Sequence, residues 1–149
     1  PAAGGRYASG PPACLQQLVD SWRRRDAGRC DYELQIEGNL DRWDDTLSVS
    51  VFRLVQEGLT NAVRHGQASR IEVALSERAD GLHLLVQDNG PLSQPPTPPA
   101  TGSQGLLGMR ERVLALGGSL SLEVADPHGL RLRIHLPVHE GHHVATADR

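Results

Sequence analysis

Phe52-Arg53-Leu54-Val55-Gln56-Glu57-Gly58-Leu59-Thr60-Asn61-Ala62-Val63-Arg64-His65-Gly66 is the stretch around which the chain is organised. Val51, Val55, Leu59, Ala62 and Val63 recur at the 3.6-residue period of an amphipathic helix and share one arc. Glu57 and Asn61, four residues apart, stack on a common stripe with Arg64 beside them, roughly opposite that arc. An acid next to a neutral amide suits a hard cation held together with a polarised water. The same stripe also suits a solvated face on which Glu57 pairs with Arg53 or Arg64.

The totals narrow the field. At 149 residues one domain with a real core is expected. Apolar residues make up 38%, with one Phe, two Trp and two Tyr, so the core should be mostly Leu, Val and Ala. A net charge of −3 leaves no electrostatic footprint for direct nucleic-acid binding. All fifteen basic residues are Arg, which excludes a P-loop lysine and any Schiff base. Cys14 and Cys30 stand far apart without partner motifs and read as reduced thiols. No apolar run approaches membrane-spanning length and no signal peptide opens the chain, so it reads as soluble.

Outward from the central helix the pattern stays regular. Residues 1–12 are Gly-, Pro- and Ala-rich and read as a linker remnant. Residues 13–26 carry Leu15, Leu18, Val19 and Trp22 at helical spacing, and Arg23, Arg24 and Arg25 suit the dipole of its last turn before Gly28. Residues 31–37 alternate as a half-buried strand, and Asp44, Asp45 or Thr46 can cap the central helix. Strands are expected at 70–76 and 81–88, joined by Ala79-Asp80-Gly81. Residues 90–104 hold five prolines and read as a mobile lid. Met109, Val113 and Leu116 mark a helix ended by Gly117-Gly118, and residues 119–125 and 129–136 form a second hairpin. The tail from 138 reads as flexible. The expected fold class is α+β: a two-layer α/β sandwich with about five strands in a mixed sheet, covered on one face by three helices.

Two further segments carry chemistry. Asp88 is in phase with Leu82, Leu84 and Val86, so its carboxylate should point to the buried side, where it needs hydrogen-bond donors. A purine exocyclic amine is one possible donor; an Asx-turn onto its own loop is the other. In Gly102-Ser103-Gln104-Gly105-Leu106-Leu107-Gly108-Met109-Arg110-Glu111-Arg112-Val113, glycines enter a helix N-terminus, where free N–H groups favour phosphate. His139-Glu140-Gly141-His142-His143 fits the letters of a zinc-protease motif. It follows a proline and includes a glycine, so it lacks the firm helix that chemistry requires.

Taken in order, these segments resemble the GHKL (Bergerat) ATPase fold of gyrase, the heat-shock chaperone and histidine kinases, and more narrowly the catalytic domain of nitrate-sensor-type sensor histidine kinases. Residues 52–65 resemble the N box, Asp88-Asn89-Gly90 the first glycine box, and Gly105 to Val113 the second. The string Gly108-Met109-Arg110-Glu111-Arg112 is rather specific to that subfamily. Departures are Pro91-Leu92 where a second glycine is usual, Ser103 in place of another, and no Phe-rich box in the lid.

The resemblance implies ATP and Mg2+ as ligands. Asn61 would bind the magnesium, Glu57 would be the catalytic base, and Asp88 with Gly90 would receive adenine. Arg64, His65, Gly105, Leu106, Gly108 and Met109 would complete the nucleotide site. It further implies an ATP-binding catalytic domain over 13–137, acting on a histidine of its own dimerisation domain upstream, with relay to a response regulator. Localisation would be cytoplasmic, with inner-membrane anchoring only through upstream segments. Alternatives are a nucleotide-gated binding module of the anti-sigma type and a scaffold that no longer binds ATP.

Overall fold

The computed structural model describes residues 10–38, 43–64, 67–91 and 104–137. In chain order the elements are α1 (Gly10–Asp26), β1 (Asp31–Glu37), α2 (Asp45–Arg64), β2 (Arg70–Arg78), β3 (Gly81–Asp88), α3 (Gln104–Ala115), β4 (Ser119–Val124) and β5 (Leu130–Leu136). His65, most of the proposed lid (92–103), the tail and its His139-to-His143 string lie outside the described residues.

Local chemistry sets the element ends. The Asp44 carboxylate accepts a hydrogen bond from the Leu47 N–H at 2.8 Å, so Asp44 is the cap of α2 among the three candidates. α1 starts at Gly10, three residues earlier than the periodicity of 13–26 suggests. Pro11 and Pro12 sit in its first turn, where a missing N–H has no cost. Its C-terminus passes through Ala27 and Gly28, both at positive φ, and Arg23 donates to the Tyr32 carbonyl at 2.7 Å, tying helix to strand. α3 ends in a Schellman turn: Gly117 takes φ 79°, and the N–H groups of Gly118 and Gly117 reach Val113 O and Leu114 O, both at 2.9 Å.

The five strands form one sheet in the order β1-β2-β3-β5-β4. β1 and β2 are parallel, with α2 as the crossover between them, and the remaining pairs are antiparallel. Burial alternates along β2, β3 and β5. Leu82, Leu84, Val86 and Asp88 of β3 face the helices, as do Leu130, Leu132, Ile134 and Leu136 of β5. The opposite face is polar and bears pairs such as Arg131–Glu123 and Arg70–Glu33. The two-layer α+β expectation therefore holds.

α2 is the centre of the helical layer, touching α1, α3, β2 and β3. Its buried arc differs from the periodicity reading. Leu54 (0% exposed) and Gly58 belong to it, whereas Val63 is 38% exposed. A helix clasped by a sheet and two neighbours buries a broad arc centred on what it packs against, which a single-helix pattern does not reveal. Gly58 marks the closest crossing: a Cβ there would stand 3.0 Å from the Val86 side chain. Alanine contributes less to the core than composition suggests; Leu and Val dominate, supplemented by Ile71, Ile134, Tyr32, Trp43 and Met109.

This phase of α2 is testable. Leu54→Ala should cost about 2–5 kcal/mol in urea unfolding, while Val63→Ala should stay within about 0.5 kcal/mol. Equal costs would return the helix to its periodicity-based phase.

Candidate nucleotide site

The topology gathers the singled-out residues at one end of the sheet. α2 runs out at Arg64 and β2 begins at Arg70, so the C-terminal turn of α2 lies over the edge where β2 starts. There Ile71 pairs with Asp88, the last residue of antiparallel β3. From the Gly58–Val86 crossing, Asn61 is about 4.5 Å further along the helix and Asp88 about 7 Å further along the strand. Both runs lead to the same rim. α3 closes a third side, since Asn61 Nδ2 donates to Met109 Sδ at 3.7 Å.

Asp88 is 7% exposed, a buried carboxylate whose burial has to be compensated. Its Oδ1 accepts the N–H of Gly90 at 2.8 Å and the N–H of Leu130 at 3.3 Å. The Asx-turn alternative is thus real, but it occupies only one oxygen. Oδ2 accepts no hydrogen bond from any described residue. The turn is braced on every side. His128 donates from Nδ1 to the Gly90 carbonyl at 2.7 Å. Asn89 Oδ1 accepts the N–H groups of Ser69 and Arg70 at 2.9 and 3.0 Å, and Asn89 Nδ2 donates to Ser69 Oγ at 2.9 Å. The loop that follows α2 is thereby stapled to the end of β3. Gly129 runs so close that a Cβ would lie 2.0 Å from the Asp88 carbonyl oxygen, and its φ is +117°.

Asn61 is 7% exposed rather than on a face opposite the core, because α3 covers that shoulder of α2. With Nδ2 directed to Met109, Oδ1 is the atom left without a partner among the described residues. Glu57 is half-buried, and neither Arg53 nor Arg64 pairs with it. The surface ion-pair alternative for the stripe is therefore absent among the described residues. Arg64 is exposed at the helix end. On α3, Leu106 and Met109 are buried and support the core. The Cβ position of Gly108 has no atom within 4 Å, and Gly105 lies in the first turn of the helix. Arg112 is half-buried, with a buried Nε that has no partner.

Asn89, His128, Gly129 and the Leu130 amide were missed by sequence reasoning. Their partners lie about 20 to 42 residues away, and only the glycine of the turn 126–129 carried any local signal. A separate cleft of about 750 Å³, with Trp22, Arg25, Asp26, Tyr32 and Ala62 in its wall, lies between α1 and α2 and includes neither Asn61 nor Asp88. Asp26 there already accepts from Tyr32 at 2.8 Å and lies 3.7 Å from Arg29. Burial pushes the Cys30 thiol in its wall up to about 11, aided by the charges of Asp26, Asp31 and Asp88. It is a core residue rather than a nucleophile.

A buried acid with one oxygen free, a buried amide with its oxygen free and the glycine-bearing helix α3 thus stand together in a two-layer α+β sandwich. Residues 46–140 match the family model described as Histidine kinase-, DNA gyrase B-, and HSP90-like ATPase, and the chain belongs to that family. It is 34% identical over 98 residues to the sensor histidine kinase YxjM of Bacillus subtilis (strain 168), covering 66% of this chain and 23% of that protein. To the histidine-protein kinase/phosphatase UhpB of Salmonella typhimurium it is 41% identical over 91 residues, covering 60% and 17%. The chain thus spans about a fifth of the length of these curated relatives. In fold it is similar to the ATP binding domain of PrrB from Mycobacterium tuberculosis: TM-score 0.63, 22% identity, 85% of this chain and 93% of that one. Among the described residues no helix is long and apolar enough to cross a membrane.

Gly129→Ala tests the bracing. It forces the strained φ onto a side chain and drives Cβ into backbone, so about 1–3 kcal/mol or more of stability should be lost in urea unfolding. An unchanged midpoint would show that the Gly129–Asp88 approach relaxes freely.

Proposed function

We propose that this chain is the ATP-binding catalytic domain of a sensor histidine kinase of the nitrate-sensor type, delivering the γ-phosphoryl group of ATP to a histidine on a separate dimerisation domain. The observation that carries the reading is the convergence of Asn61, Asp88, Gly90 and the start of α3 on one rim, with acceptor atoms left free. The similarity to proteins named sensor histidine kinases favours this over a nucleotide-gated switch module.

In this reading Asp88 Oδ2 accepts the exocyclic amine of adenine, while Oδ1 stays anchored by Gly90 and Leu130. Gly90 keeps side-chain bulk away from the base. The backbone N–H groups at the start of α3, with Gly105 and Gly108 leaving room, receive phosphate oxygens, and the dipole of α3 favours their charge. Leu106 and Met109 hold that helix against the core. Arg64, at the end of α2, and His65, the next residue in the sequence, are the proposed phosphate and nucleotide contacts.

The donor chemistry fits a hard cation: the amide oxygen of Asn61 is free among the described residues, and Glu57 stands one turn earlier on the same helix, leaving phosphate oxygens and water to complete an oxygen shell. Asn61 is the residue that would hold Mg2+, and the ion supplies charge neutralisation on the phosphates. Glu57, one turn before Asn61 and without an ion pair among the described residues, takes a proton from or polarises the attacking group. Phosphoryl transfer needs little more than such positioning and neutralisation. The domain is proposed to occupy residues 13–137 together with the first turn of α1. Its phospho-accepting histidine, a response regulator and any inner-membrane anchor belong to other parts of the system.

Calorimetry on Asp88→Asn separates the adenine contact from general binding. With the amide oxygen kept on Gly90 and Leu130, the new NH2 group opposes the adenine amine, so ATP affinity should fall about 10- to 100-fold, while GTP binding changes little; equal loss for both would remove the adenine contact. Asn61→Ala should abolish the magnesium dependence of ATP binding, because it removes the amide oxygen, and an unchanged dependence would end the metal role. For the activity itself, labelled ATP mixed with this domain and a dimerisation-histidine fragment should give acid-labile phosphate, lost in Glu57→Gln. Normal nucleotide binding with no phosphotransfer to any such fragment would leave the domain a binding module.

A further inference from the structure

The polar face of the sheet carries a cluster that the nucleotide chemistry does not use. His83 on β3 and His135 on β5 are direct cross-strand partners, their rings 4.8 Å apart between centroids. The row continues to Ser76 on β2 and Ser119 on β4. Asp80, in the two-residue turn between β2 and β3, folds back over both rings. His83 Nε2 donates to Asp80 Oδ1 at 2.8 Å. His135 Nε2 donates to the Asp80 carbonyl at 2.8 Å and lies 3.8 Å from Oδ2.

We propose that Asp80, His83 and His135 form a binding site for a divalent transition-metal ion of the zinc type. Donor atoms from the three residues all lie within 4.8 Å of one another. Tetrahedral coordination at about 2.0–2.1 Å places ligand atoms about 3.3 Å apart, which the distances of 2.8 and 3.8 Å already bracket. Both imidazoles now aim an N–H at the same acidic residue. An ion held between the two Nε2 atoms and the carboxylate would replace those two protons, with His135 giving up its hydrogen bond to the Asp80 carbonyl.

Electrostatics and fold favour this site. The Asp80 side chain is exposed at the turn with one carboxylate oxygen 2.8 Å from His83 Nε2 and the other 3.8 Å from His135 Nε2, so its carboxylate already faces both imidazoles. The two nearest cations have other engagements: Arg133 lies 3.2 Å from Glu123, and Arg78 Nε donates to Ser76 Oγ at 3.3 Å. A shallow cleft of about 630 Å³ opens over the cluster and leaves a coordination position for water. Two nitrogens and a carboxylate select zinc, copper or nickel over magnesium and calcium, whose shells are built of oxygen. The site is distinct from the nucleotide rim. Asp80 precedes the start of β3 and Asp88 ends it, the strand itself spanning about 23 Å from Gly81 to Asp88, and His83 points to the other face.

Zn2+ alone, titrated into the full chain by calorimetry and by thermal unfolding, tests the assignment. One zinc equivalent should bind and raise the melting temperature. His83→Ala and His135→Ala should each weaken binding at least about tenfold and remove the thermal shift, while excess Mg2+ competes with neither. His142→Ala/His143→Ala should leave both effects unchanged. No zinc binding by the parent chain, or binding lost in the tail variant and retained in the two strand variants, would falsify the site.

Discussion

A carboxylate buried at the end of a strand is the constraint on which the rest of this structure depends. Asp88 occupies a core-phase position of β3, where a charge without donors would be costly by several kcal/mol. Two backbone amides, from Gly90 and Leu130, meet that need at Oδ1. Supplying them brings the chain back along β5 close against the strand end, which only Gly129 permits. The Asx-turn and a ligand contact are alternative uses of Asp88 in the sequence, but in the folded chain the turn does not preclude the contact. The turn uses one oxygen and fixes the orientation of the other.

The same logic extends to Asn61. An amide at the rim of the core is neither expelled nor fully satisfied: Met109 sulfur is a weak acceptor, and Oδ1 is left open. Polar atoms held in place by packing, with their strongest acceptor unengaged, are what a preorganised site requires. Asn89 serves the same end from outside. By fixing Ser69 and Arg70 it sets where α2 can end relative to β3, and so where Asn61 stands relative to Asp88.

Much of this was legible in the residues. The alternation through Leu82, Leu84, Val86 and Asp88 located β3 to its end residues and forecast the burial of the acid, because a strand's period of two leaves no latitude. The glycine pair at 117–118 ended α3 as its φ freedom suggested. Helix phase was less secure. Leu54 and Asn61 lie on the shoulder of α2, and whether a shoulder is buried depends on a neighbour, here α3, set by tertiary packing. The bracing of Asp88 by Leu130 and His128 bridges 42 and 38 residues, a distance at which no local pattern operates. His83 and His135 lie 52 residues apart in the chain and meet only because β5 returns beside β3.

That last pairing follows from the geometry that builds the nucleotide rim. In β3, even-numbered residues face the helices and odd-numbered ones face away. One strand can therefore carry an acid for a buried site at its end and an imidazole for an exposed site near its start, with no side chain shared between them. Antiparallel pairing with β5 gives each of these a partner from the same second strand: Leu130 opposite the acid, His135 opposite the imidazole. A one-residue slip between β3 and β5 would break both at once, since it would move the Leu130 amide off Asp88 and turn His135 away from His83. Register, more than any single contact, couples the two ends of the sheet.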